Sequence, residues 1–472
     1  MQPGSPAGGV GDPACRGGRV AGGSLQDRID AAGSPVRLLR ELPGRRFQAP
    51  YPDQHTSWQV EQAAWRESAV LFDQSHHMTD VYLKGPDVTR LLSDTGVNGF
   101  DGFGRNRAKH FVACNDDGHM VGSAVLFGLE DDEVSLVGPA GAANFVQYRA
   151  ATGGYDVEVV RDERTRDQAG GRRRTFRYEV EGPNAWAVVE RAHGGPIEAR
   201  RFFAMFDLTI AGRPTRALVH TMVGTPGTAS MGLELMGPVE DGPACLEALL
   251  AAGDGLGLVQ GGALAYYTGS IESGYMAQPT PAVYTGERLR PYREWLAGDG
   301  YEASLSIGGS FASSRIEDYY VTPYDFGYGH LVKLDHDFVG RDALVEAAKA
   351  PKRRKVWLAW HDDDVTRVIA SSLFGGAGRA KLLEVPLGRY ARVQWDAVSR
   401  DGRPVGISTL CGYTVNMGAF CSVAMLDEGD AVDGTEVEVL WGEEGGGSGK
   451  ATVEPHVQTT IRATVSTGPL VR

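Results

Sequence analysis

The pattern of apolar and polar positions divides the chain into stretches of different character. From Trp58 to about residue 180, short apolar runs sit between Gly and Asp turns. Residues 81–83, 111–113, 120–127 and 134–137 are strand-like, and Asp116, Asp117, Gly118 and His119 between two of them mark a hairpin. Residues 88–92 and 142–148 carry helical spacing instead. A charged, Gly-containing connector follows over 162–175. Near Phe176 a second unit opens with a strand over 178–182, then a helix with Pro183 near its first turn. Further strands are expected over 218–223 and 232–236, and a helix over 244–252. The run from Tyr301 to Tyr328 is dense in Gly, Ser and Tyr with little periodicity; Gly308 and Gly309 there could bring backbone close to a ligand or simply form a loop. After Lys355 short strands separated by Asp-Gly and Gly turns predict a small β-barrel or sandwich. This is an α+β pattern without internal repeats.

At 472 residues the chain is too long for one core. The expected division is a flexible Gly/Pro-rich leader over 1–33, an α+β unit over 34–175, a second over 176–350 and the strand-rich unit over 351–472. Net charge is 47 − 60 = −13, which argues against nucleic acid as partner; the basic runs 172–174 and 352–355 are expected to be solvated. The five cysteines are scattered without metal-ligand or disulfide spacing. No apolar run spans a membrane and no signal-peptide layout opens the chain, so a reducing, cytoplasmic setting is expected.

Candidate chemistry concentrates in residues 71–78, where an apolar pair leads into Asp73, Gln74, Ser75, His76, His77 and Met78. Proton-exchanging side chains at the end of a hydrophobic segment suit a pocket wall. If the run is a strand, His76 and His77 point to opposite faces, and His76 is expected to face away.

Several segments together resemble the aminomethyltransferase (glycine-cleavage T-protein) superfamily: residues 335–344, 401–406, 432–439 and the pair 255–259 with 271–274. Within it the match is closest to the tetrahydrofolate-dependent aromatic O-demethylases of the vanillate/syringate type, through 65–78, 292–295, 307–321 and 440–456. The resemblance covers about residues 36–467. It implies two α+β domains around a central folate channel plus a C-terminal β-barrel. It also implies methyl transfer from an aryl methyl ether to tetrahydrofolate, giving a phenol and 5-methyltetrahydrofolate.

Carried over residue by residue, the resemblance gives Tyr266 and His77 catalytic roles and makes Gln74, Ser75 and His77 substrate contacts. It assigns Glu234, Tyr266 and Tyr275 to the folate. Tyr266 stands where T-proteins have an arginine, and Ser270 stands at a second such place, favouring the demethylase branch. Two departures matter. Pro139 occupies the position of the arginine that grips the substrate carboxylate in vanillate-type enzymes, with no other cation evident in the sequence. Ser123 occupies the position of an aspartate that handles amine chemistry in T-proteins. Two other readings of the same fold stay open: a folate-dependent transferase of a biosynthetic pathway, and a non-catalytic folate-binding protein.

Overall fold

The computed structural model describes residues 23–472 apart from 44–50, 168–171, 223–231, 277–278, 350, 448–449 and 471–472. The chain enters through three short helices, α1 (Leu25–Ala32), α2 (Pro35–Glu41) and α3 (Trp58–Glu67). The hydroxyls of Ser24, Ser34 and Ser57 accept from Asp27, Arg37 and Val60 N–H groups, satisfying donors that a first helical turn leaves open. Leu25 and Leu39 are fully buried. Residues 24–33 are therefore folded, which corrects the expected leader; the remainder of that leader, 1–22, lies outside the described residues. The α3 helix hands on to β1 (Ala69–Asp73).

The next stretch folds as expected for an α+β unit. It contains β2 (Thr79–Lys84), α4 (Val88–Thr95), β3 (Ala108–Cys114), β4 (Met120–Glu130), β5 (Glu133–Gly138), α5 (Ala140–Thr152) and β6 (Glu158–Asp162). The strands form an antiparallel sheet in the order β3-β4-β5-β2-β6. The hairpin at 116–119 is present, with Asn115 Oδ1 accepting from the Asp117 and His119 N–H groups and Gly118 at φ +76°.

A second sheet draws on β7 (Thr175–Glu181), α6 (Ala185–His193), β8 (Met205–Ile210), β9 (Arg213–His220), β10 (Gly232–Pro238), α7 (Gly242–Ala252) and β11 (Leu258–Gly261). Its order is β11-β1-β7-β10-β9-β8. Because β1 pairs parallel with β11 and antiparallel with β7, the first two units interleave, and a boundary at 175 does not separate them. Phe176, Tyr178, Val180, Leu233 and Leu235 pack in one core with residues of α6 and α7. The two-residue period then turns Arg177, Glu179 and Glu181 to the opposite face, where Glu234 stands across the ladder from Glu179. That face is buried too, so its charges need partners or a ligand.

The helix α8 (Ala263–Ser273) follows directly. Its N-cap must be glycine: a Cβ on Gly262 would lie 2.4 Å from the Asp53 carbonyl oxygen. Beyond it run α9 (Arg290–Trp295), which packs on α1, then β12 (Ile307–Gly308) and α10 (Arg341–Lys349). The Gly308–Ser310 loop serves the fold: Gly309 and Ser310 N–H groups donate to the Glu443 and Asp396 carboxylates.

The last unit contains β13 (Arg353–Trp360), α11 (Asp362–Phe374), β14 (Val393–Gln394), β15 (Asp396–Arg400), β16 (Arg403–Thr414), β17 (Ala419–Asp427), β18 (Glu436–Trp441) and β19 (Thr459–Ser466). Six of these strands close a barrel in the order β13-β17-β16-β15-β18-β19, while β14 pairs with β12. Closure decides between barrel and sandwich. Among the described residues no helix is long and apolar enough to cross a membrane.

Candidate active site

The buried face of the second sheet opens on a cavity of about 720 Å³, within the range of small-molecule sites. Gln74, His77, Glu234, Tyr266 and Tyr275 all line it. Three segments, the 74–77 turn, β10 and α8 with its end, thus meet at one cavity. Ser75 is the exception and a correction. Its hydroxyl accepts from the Arg177 N–H at 2.9 Å and faces the Arg177 carbonyl; it ties the 74–78 turn to β7 and does not line the cavity.

The strand reading of the two histidines is also corrected. β1 ends at Asp73 and the chain turns through 75–77, so both His76 and His77 border the cavity. His76 is held from outside, with Nδ1 2.8 Å from Thr165 Oγ1 and Nε2 3.6 Å from Asp73. His77 packs edge-on against Tyr266, ring centres 5.1 Å apart, and against Tyr51 at 5.9 Å. Its Nδ1 is buried with no hydrogen-bond partner among the described residues. Burial and the nearby Arg173 charge lower its pKa to about 4, so near neutrality His77 is a neutral hydrogen-bonding group and not an acid. An unperturbed imidazole would titrate near 6.5.

Tyr266 sits one turn into α8, its ring in T-shaped contact with Phe72 at 5.3 Å. Its hydroxyl lies 3.3 Å from Gln74 Oε1. Burial, with the Glu179 carboxyl nearby, pushes the phenol well above its ordinary pKa of 10; it holds its proton at any physiological pH. The Gln74 Nε2 has no partner among the described residues. A phenol O–H, an amide N–H and an imidazole nitrogen therefore border the same cavity.

Glu234 is fixed between Arg177, whose Nη1 donates at 2.8 Å, and His220 Nε2 at 3.1 Å. Burial raises its pKa, but the His220 contact and the Arg177 guanidinium outweigh that and hold it at about 2. It stays ionised. Arg177 also reaches Asp80 on β2 at 3.2 Å, and Arg173 bridges Asp80 and Asp162 at 3.0 and 3.2 Å. This network binds the two sheets together. It also corrects the reading of 172–174 as a solvated run, since Arg173 is buried.

Tyr275 follows Gly274, the left-handed end of α8. Its ring lies 5.6 Å from His110 and 6.5 Å from Tyr328. Its hydroxyl is hydrogen-bonded to Ser123, while burial pushes its pKa up to about 12. Ser123 thus has a structural partner in this chain.

Sequence reasoning missed two sets of residues. Glu179, on a strand that was expected but given no role, has both its carboxyl oxygens buried without a hydrogen bond among the described residues. Burial and the neighbouring Glu181 push its pKa well up, the opposite direction from Glu234. The second set is a group of cations that was not evident in the sequence when Pro139 was noted. Arg161, Arg164, Arg166, Arg389 and Arg392 all line the cavity. They come from two remote segments, and only tertiary contact brings them together.

Known proteins place these features. Residues 42–280 match the model of the GCVT N-terminal domain. The chain is 42% identical to syringate O-demethylase of Sphingobium sp. (strain NBRC 103272 / SYK-6), covering 94% of this chain and 96% of that protein. It is 28% identical to sesamin methylene transferase of Sinomonas sp. (strain No.22), covering 84% and 86%. In fold it is similar to the glycine cleavage system aminomethyltransferase T of Bartonella henselae, with a TM-score of 0.59 at 18% identity over 93% of this chain and 99% of that one. This chain belongs to the aminomethyltransferase (GCVT) family, on the branch that holds the syringate O-demethylase.

Proposed function

We propose that this protein is an O-demethylase that moves a methyl group from an aryl methyl ether to tetrahydrofolate, leaving a phenol and 5-methyltetrahydrofolate. The observation that carries it is the meeting of Gln74, His77 and Tyr266 in one cavity, in a chain 42% identical to a syringate O-demethylase. Bound tetrahydrofolate supplies the N-5 nitrogen that accepts the methyl group. The residues present suit that partner. Glu234 is an ionised acceptor on the cavity wall, apt for the N–H edge of an aminopyrimidine, and Tyr275 offers an apolar ring on the same cavity.

The hard step is expulsion of a phenolate, a poor leaving group. Tyr266, protonated by virtue of its burial, donates a hydrogen bond to the departing oxygen, and the proton that N-5 would shed on methylation balances the phenolate as phenol. Its contact with Gln74 Oε1 is long at 3.3 Å, and a hydroxyl rotates freely, so the proton can be re-aimed. The Gln74 amide and the neutral His77 ring add donors around the developing charge, where exclusion of water strengthens each of them. A reducing intracellular setting agrees with the four free, buried cysteines of the described residues.

Incubation of methoxyaromatics with tetrahydrofolate should yield 5-methyltetrahydrofolate, scored by mass spectrometry. Tyr266→Phe should lower turnover by about 10²–10⁴-fold while folate binding survives; wild-type turnover in that variant would overturn the catalytic assignment. A second reading, one-carbon transfer at the methylene level, is favoured by the likeness to sesamin methylene transferase. An assay with a methylenedioxy aromatic separates it, because a carbon already at the formaldehyde level would give a 5,10-methylene product without an oxidant.

A further inference from the structure

We propose that Arg164, Arg389 and Arg392 form a carboxylate-binding station in the cavity, taking the anionic end of a ligand whose reacting end lies at Tyr266. It rests on the function proposed above and deepens it. The shared chemistry is a carboxylate, carried either by the aromatic ring of the substrate or by the glutamate tail of tetrahydrofolate.

Three observations carry the inference. The first is convergence. Arg164 follows β6, whereas Arg389 and Arg392 precede β14, yet the charges of all three act on the buried Tyr301 and those of Arg164 and Arg389 on Tyr267. The Arg392 guanidinium carbon lies 5.0 Å from the centre of the Tyr301 ring. Both tyrosines line the cavity.

The second is a deficit of counter-charge. That deficit is at Arg392, whose Nη1 is buried without a hydrogen bond among the described residues; Arg164 beside it is ion-paired with Asp167 and, at 3.8 Å, with Glu163. Burial, together with Arg164 and Arg166, pushes Arg392 below the ordinary arginine range, as crowded like charges should. The third is contrast. Arg161, on the same cavity, is saturated by Glu163, Asn144 and Gln147. The buried Arg173 and Arg177 each meet carboxylates. Arg392 alone of these four has no carboxylate partner among the described residues.

Arg389 supports the geometry: its Nη2 donates to the Arg392 carbonyl at 2.5 Å, which holds the loop that presents Arg392. A planar guanidinium fork suits a carboxylate, which it grips with two bonds. The station would also supply the cation that Pro139 does not.

The test uses the full chain with Arg392→Met and Arg392→Lys, against two matched ligand pairs. One pair is a hydroxymethoxybenzoate and its decarboxylated methoxyphenol; the other is tetrahydrofolate and the primary amide of tetrahydropteroate, which carries no carboxylate. KM and calorimetric affinity are measured for each, with thermal melting as the folding control and Arg164→Met as a second variant if Arg392→Met does not fold. We expect R392M to weaken the carboxylate-bearing member of one pair roughly tenfold or more. The other member should stay within about twofold, and lysine should restore only part of the loss. The pair that responds names the source of the carboxylate. Equal effects on both members of each pair, or none, would overturn the station while leaving demethylation intact. If no methoxyaromatic were turned over at all, the calorimetric affinities of both pairs would still decide the station.

Discussion

Burial has opposite consequences for the side chains of this site, and those consequences set its chemistry. His77 is kept neutral down to about pH 4, so kcat/KM for demethylation should show no break near pH 6.5. A pH–rate profile from pH 5.5 to 8.5 checks this; an inflection at 6.5 that disappears in His77→Gln would restore the histidine as an acid. Glu302 behaves in the contrary sense. Buried against Asn144 Nδ2 at 2.9 and 3.0 Å, its carboxyl is pushed up to about 7, chiefly by burial. A folded pKa above the unfolded value of about 4.3 means stability present at low pH and lost as pH rises through 7. Glu302→Gln, which keeps the acceptor without the charge, should therefore gain on wild type as pH climbs from 5 to 8. The gain should be on the order of 3 kcal/mol at most, read as a growing difference in Tm.

Strand alternation is the device that builds the polar wall at the scale of elements. β7 sends Phe176, Tyr178 and Val180 into the core shared with α6 and α7, so Arg177, Glu179 and Glu181 have nowhere to point but the cavity side. Arg177 then holds Glu234 on β10 and Asp80 on β2. Arg177→Met should cost about 3–5 kcal/mol, the usual penalty for stranding buried carboxylates, measured by chemical denaturation. It should also weaken folate binding, because Glu234 would lose the charge that keeps it ionised. Unchanged folate affinity in a folded R177M would argue against Glu234 as the pteridine contact.

Over the whole molecule, the C-terminal barrel supports the site from behind. Trp357 Nε1 donates to the Ile271 carbonyl at 2.8 Å, and a Cβ on Gly274 would lie 2.2 Å from the Trp357 ring. Glu272 receives Trp65 Nε1 at 2.9 Å and Asn416 Nδ2 at 3.2 Å, so α8 is clamped between α3 and the barrel. Trp357→Ala should destabilise the protein by about 3–5 kcal/mol. It should also slow turnover although Trp357 does not line the cavity, since both Tyr266 and Tyr275 hang on α8 or its end. Calorimetry paired with steady-state kinetics tests both effects.

Some of this was legible in the residues alone. Periodicity marked the elements around 116–119, 176–190 and 232–252, and the Asp-Gly turns marked the closing strands, because these signals are local. The resemblance carried Gln74, His77, Glu234, Tyr266 and Tyr275 to one cavity, since each sits in a contiguous motif. What depended on distant pairing was not legible. The insertion of β1 between β7 and β11 dissolved the boundary near residue 175. A hydroxyl bond to Arg177 withdrew Ser75 from the site, and Asp80 with Asp162 drew Arg173 into the interior. Glu179 has no assigned role on its strand until the cavity side of its sheet is found to be buried. Arg164 and Arg392 are some 230 residues apart in sequence, and only the folded chain places their charges on one ring. Local pattern reports what a residue can do; which charges end up without a partner is decided by the three-dimensional neighbourhood, because desolvation and pairing depend on every segment that closes around them.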